Sequence, residues 1–113
     1  DEISLSADTA VCEFADGQYK SYVIDPKKFG FKKCVKSEIA GGDPAQNAQT
    51  VKDILTGKEQ GAKRDIVLLN AGAALYIAQK AASIEDGIKL AADVIDSGKA
   101  MKKLEDFIET SKE

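Results

Sequence analysis

The 113 residues predict a mixed α/β chain in which one β-hairpin precedes four helices. Three observations carry that expectation. Asp16-Gly17 divides two stretches in which apolar and polar residues alternate, the pattern of paired strands. Asp43-Pro44 and Ser83 each stand immediately before an apolar repeat of helical period. A long apolar run, IVLLNAGAALYIA, is interrupted only by Asn70 and small residues, as in a helix buried on more than one side.

The hairpin is expected over about 9–24. A type I′ turn needs positive φ at both central positions, which Asp-Gly supplies. That turn sets Ala15 opposite Gln18, Phe14 opposite Tyr19, Glu13 opposite Lys20 and Val11 opposite Tyr22, with opposite charges facing each other at Glu13 and Lys20. Cys12, Phe14, Tyr19 and Val23 share one face, which is expected to be buried, Cys12 as a reduced thiol. Asp25-Pro26 starts a short turn, and KKFGFKKCVKSEIA reads as irregular.

The helices are expected at about 44–56, 64–81, 84–96 and 98–111. In the first, Asp43 caps, Pro44 takes the position where a missing N–H is harmless, Ala48, Val51 and Leu55 form the apolar stripe, and Gly57 terminates. The second is the apolar run itself. The third follows Ser83, spaced from Asp86 as in a capping box, and buries Ile84, Ile88, Ala91, Ala92 and Ile95. Gly98 breaks the pattern, Ser97 caps the fourth, and Ala100, Met101, Leu104, Phe107 and Ile108 point inward.

Composition narrows the function. A net charge of -3 and scattered lysines argue against nucleic acid or an anionic membrane as partner. The densest basic stretch, Lys27-Lys28, Lys32-Lys33 and Lys36, reads as a solvated loop. The chain has no histidine, which removes the commonest general base, the Ser-His and Cys-His nucleophiles and most zinc sites. Two cysteines outside any CxxC pair make no disulfide framework, and no signal peptide or membrane span is apparent, so a reducing cytoplasm is expected.

Few side chains invite chemistry. Gly41-Gly42-Asp43 resembles a phosphate cradle, but an Asp43 cap would compete with an anion for the same N–H groups. Asn70 reads as a satisfied core amide that fixes its helix, and Tyr76 as a packing residue. Glu85, Asp86, Asp93 and Asp96 read as a solvated helix face. Asp1-Glu2, adjacent carboxylates, suit Mg²⁺ in type but are solvated charge on residues alone.

The blocks GGDPAQNA through ILTG, RDIVLLNAGAALYIA and IDSGKAMKKLE resemble the C-terminal part of anthranilate phosphoribosyltransferases. DEIS, TAVCEF, DGQYKSYVIDP and FGF agree with that segment in the expected order, and the resemblance covers essentially the whole chain. It implies the C-terminal portion of the catalytic α/β domain, of nucleoside phosphorylase and phosphoribosyltransferase type, over 1–113. An N-terminal helical domain and the first part of the α/β domain would lie upstream, so that the chain starts mid-domain, as its lack of an initiator methionine suggests.

The resemblance further implies transfer of the phosphoribosyl group of phosphoribosyl pyrophosphate to anthranilate, in tryptophan biosynthesis. Asp1 and Glu2 match the family's acidic pair for Mg²⁺, and no catalytic or substrate-binding residue is carried over to this segment. The glycine-rich pyrophosphate loop and the dimer-forming helical domain are not among these residues, so the complete enzyme is expected to be a homodimer and the isolated segment inactive, with reduced stability or self-association. If Asp1 were a free terminus, its α-amino group, with a pKa of about 7.8, would weaken magnesium binding. Alternatives are a nucleic-acid-binding relative without catalysis, a free-standing interaction domain and, below these, a pyrimidine nucleoside phosphorylase.

Overall fold

A computed structural model describes residues 3–112. Strands β1 (Thr9–Ala15) and β2 (Gln18–Ile24) form an antiparallel hairpin. Helices α1 (Pro44–Leu55), α2 (Ala62–Ile77), α3 (Ile84–Asp96) and α4 (Lys99–Ser111) follow. Short 3₁₀ turns at Pro26–Phe29 and Lys36–Glu38 punctuate the otherwise irregular connection. The hairpin register is the one expected, including Glu13 opposite Lys20 and Val11 opposite Tyr22, because Asp16 and Gly17 both adopt positive φ.

The buried face of the hairpin is the reverse of the expected one. Val11, Glu13 and Tyr22 are half-buried and Ile24 is buried, whereas Cys12, Phe14, Tyr19 and Val23 face outward. Phe14 and Tyr19 are 62% and 78% exposed and pack on each other, ring centroids 4.8 Å apart. Alternation assigns residues to two faces, but what lies across from the sheet decides which is covered. Cys12 is therefore an exposed free thiol.

The core joins the N-terminal segment to the helices: Leu5, Ile24, Leu68, Leu69, Ile84, Ile88, Ala91 and Ile95 form one buried cluster. Leu68 and Leu69, about 100° apart around α2, are both buried, so α2 has neighbours on two sides, while Val67 and Ile77 remain exposed. Helices α2 and α3 run antiparallel, with Arg64 meeting Asp96 at one end and Gly72 meeting Gly87 further along.

Helix ends differ from expectation in two places. Helix α2 stops at Ile77 rather than 81, because Gln79 turns left-handed at φ 61°. Lys80 N then donates to Leu75 O and Gln79 N to Tyr76 O, the bond pair of a Schellman ending, made here without glycine. Ser97 does not cap α4. It closes α3, and Gly98, at φ 84°, makes the turn into α4.

Helices α1 and α4 are lightly docked. Ile54 is buried and Leu55 half-buried, but Ala48 and Val51 of the expected stripe face solvent. In α4 no residue is fully buried, and Phe107 points outward at 70% exposure. The radius of gyration is 15.3 Å, against about 13 Å for a compact domain of this length. The accessible surface is 7784 Å², against about 6,000 Å² expected for this mass. Both excesses reflect the uncovered outer hairpin face and α4.

Candidate functional site

The residues around the start of the chain form the first candidate region. Asp1 and Glu2, the sequence-derived metal ligands, lie outside the described residues. Their donor set, two carboxylates, fits Mg²⁺, which takes one or two protein carboxylates together with water and phosphate oxygens. Among the described residues no group of three or more Cys, Asp or Glu side chains is placed to hold a metal ion.

Immediately beyond them, Ile3 is held by α2. Asn70 Oδ1 accepts from Ile3 N at 2.8 Å, and Asn70 Nδ2 donates to Ile3 O at 2.9 Å and to Ile66 O at 3.0 Å. The reading of Asn70 as a satisfied amide holds. Its partner, 67 residues away, carried no signal in the sequence. Leu5 behind Ile3 is fully buried, and Leu5 O accepts from Cys34 N, so this segment is tied on both sides.

A second candidate is an open groove between the hairpin and the start of α3, lined by Glu13, Lys20, Tyr22, Phe29, Tyr76 and Ser83. Glu13 is its hub. Tyr22 Oη donates to Glu13 Oε1 and Tyr76 Oη to Glu13 Oε2, each at 2.9 Å. Burial, reinforced by the Glu13 bond, pushes the Tyr22 phenol up to about 12. The bond to Glu13 raises Tyr76 as well. Both phenols are thus favoured in their neutral form and each carboxylate oxygen accepts one bond, an arrangement that ties strand to helix. Tyr76 packs, as expected, and its bond to Glu13 adds an anchor that the sequence reading did not include. Glu13 turns to the two tyrosines, while the Lys20 ammonium sits 5.5 Å from the centre of the Tyr22 ring.

The glycine-rich stretch before α1 is a cap. Asp43 Oδ1 accepts from Gln46 N at 2.8 Å, and Gln46 Oε1 accepts from Asp43 N at 2.9 Å. Gly42 N donates to Asn47 Oδ1 at 2.8 Å. The Gly42, Asp43 and Gln46 amides are thus already bonded within the motif.

Of the acidic face on α3, Glu85, Asp86 and Asp93 are exposed as expected. Asp96 does more: its carboxylate accepts from Arg64 Nη1 at 3.1 Å and Nη2 at 3.3 Å. Arg64 is only 8% exposed. The spacing along α3 gave no sign of this, since the partner lies on another helix.

Residues 1–101, nearly the whole chain, match the α/β domain of a glycosyl transferase family. The chain belongs to that family. This glycosyl transferase segment is 53% identical to an anthranilate phosphoribosyltransferase of Methanobrevibacter smithii, over 96% of its own length and 32% of the relative. It superposes on the anthranilate phosphoribosyltransferase of Saccharomyces cerevisiae in complex with 4-fluoroanthranilate at a TM-score of 0.84 and 29% identity, covering 96% of this chain and 32% of that one. Against the same yeast enzyme in complex with PRPP and Mg, the TM-score is 0.81 at 27% identity, over 96% and 30% of the two chains. The chain spans about a third of the length of the curated relatives it matches. The hairpin and four helices thus have the α/β fold of these enzymes, as the resemblance implied. Among the described residues no helix is long and apolar enough to cross a membrane.

Proposed function

We propose that residues 1–113 are the C-terminal portion of the catalytic α/β domain of an anthranilate phosphoribosyltransferase acting in tryptophan biosynthesis. The observation that carries this is the 53% identity to such an enzyme along nearly the whole segment. In the reaction the amine nitrogen of anthranilate attacks C1 of the ribose, and the bond from C1 to the pyrophosphate oxygen breaks. Asp1 and Glu2 would hold Mg²⁺, which when bound offsets charge on the departing diphosphate. This segment's part is to supply those two carboxylates. Substrate pockets and the dimer contact belong to the rest of the polypeptide, a homodimer of the cytoplasm.

Anthranilate fluorescence tests the reading. The full-length polypeptide carrying this segment consumes anthranilate in the presence of phosphoribosyl pyrophosphate and Mg²⁺, and residues 1–113 alone do not. Full-length protein that instead cleaves pyrimidine nucleosides with phosphate, or binds single-stranded DNA and leaves anthranilate untouched, would overturn it.

A further inference from the structure

We infer that the groove between the hairpin and the start of α3 binds a small organic monocation of the quaternary ammonium type. The site is independent of the proposed transferase chemistry and is built wholly from described residues.

Charge and ring chemistry both select that ligand. Among the described residues, the charged side chains that line the groove are Glu13, Glu85 and Lys20, so one negative charge is left over. Tyr22, Phe29 and Tyr76 supply the aromatic part of the lining. The electron-rich face of such a ring attracts a cation, and a weakly hydrated cation gives up least on leaving water. Two of the rings are also polarised. Tyr22 and Tyr76 each donate a hydroxyl to Glu13, one to each carboxylate oxygen, at 2.9 Å. A phenol that donates to an anion pushes electron density back into its ring, which strengthens the pull of the ring face on a positive charge. Burial and the Glu13 bonds favour both phenols in their neutral form, so this arrangement holds throughout the neutral range.

The fold already places one cation there. Glu13 and Lys20 are cross-strand partners, yet Lys20 makes no ion pair among the described residues. Its ammonium sits instead 5.5 Å from the centre of the Tyr22 ring. Lys20 is exposed, so its flexible stem can return the ammonium to water at little cost. It is an internal occupant that an external cation displaces. Glu13, Tyr22 and Tyr76 come from β1, β2 and α2, and the bonds among them fix the rings before any ligand arrives. The groove encloses about 470 Å³, within the range of small-molecule sites.

The test uses the full-length polypeptide with ring-labelled tyrosine, and tetramethylammonium as the probe at constant ionic strength. The NMR signals of Tyr22 and Tyr76, assigned from their Phe variants, should shift saturably, with a dissociation constant on the order of millimolar. Tyr19, on the other face of the hairpin, should not respond. Nor should any of the three respond to tert-butanol, a neutral molecule of similar shape. Lys20→Met removes the internal cation and should tighten binding about three- to fivefold. Glu13→Gln should weaken it about tenfold, and Glu85→Gln by a smaller factor. Absence of saturable shifts, equal shifts with tert-butanol, or an affinity that Lys20→Met leaves unchanged would each overturn the inference. If Glu13→Gln fails to fold, the Lys20 and Glu85 variants decide alone, because both of those side chains are exposed.

Discussion

Gly72 and Gly87 meet backbone to backbone where α2 crosses α3. A Cβ built on Gly87 would run into the carbonyl oxygen of Gly72, and one on Gly72 would lie 2.7 Å from Ile88 N. The Gly72 carbonyl oxygen and Ile88 N are main chain and cannot swing aside, although Ile88 Cγ1, the atom nearest a Gly72 Cβ, is a side chain. Gly87→Ala is expected to cost about 1–3 kcal/mol through forced separation of the helices, despite alanine's better helix propensity. Urea unfolding measures it. A loss below about 0.5 kcal/mol, the range of ordinary surface changes, would mean the crossing is looser than described.

The Arg64–Asp96 pair predicts an asymmetry between two aspartates on one helix. Asp96→Ala strands the enclosed guanidinium of Arg64 and is expected to lower stability by about 1–2 kcal/mol. Asp93→Ala, at an exposed position, is expected to stay within about 0.5 kcal/mol. Equal effects in thermal or urea unfolding would remove the special role of Asp96.

Alkaline pH should loosen the hairpin from α2. Burial and the Glu13 bond push the folded Tyr22 phenol up to about 12 from its ordinary value of 10.0, so folding favours its neutral form. That contribution is complete below the unfolded value and is lost as pH rises from about 10 through 12. Absorbance at 295 nm should show two late-titrating phenols, Tyr22 and Tyr76, of which Tyr22→Phe removes the one at about 12. A phenol at about 12 that persists in the variant would assign it elsewhere.

How much of this was legible beforehand depended on distance along the chain. The hairpin register was readable because Asp16-Gly17 fixes it locally, and the α1 cap because Asp43 and Gln46 are three residues apart. The covered face of the hairpin was not, since the Glu13 partner Tyr76 lies 63 residues downstream and outweighs the more apolar look of Cys12, Phe14 and Val23. The end of α2 was hidden for another reason: Gln79 takes a backbone conformation that glycine usually signals. At the candidate site, residue types pointed to Asp1 and Glu2, but the tie between Ile3 and Asn70 has no local pattern at all.

The outward face of the hairpin should drive association. Phe14, Tyr19 and Val23 lie exposed on one face of the hairpin in the isolated 113-residue chain. Sedimentation velocity should show reversible self-association that Phe14→Ser combined with Val23→Thr reduces. A monomer at all concentrations in the unmodified chain would count against this.

The bond between Ile3 and Asn70 closes a span of 67 residues, whereas α2 and α3 are neighbours across one short loop. Chain entropy therefore orders assembly: the helical pair is free to form early, and the leading segment has to wait for its docking surface. In stopped-flow kinetics, Asn70→Ala should then speed unfolding and leave refolding nearly untouched, while Ile88→Val slows refolding.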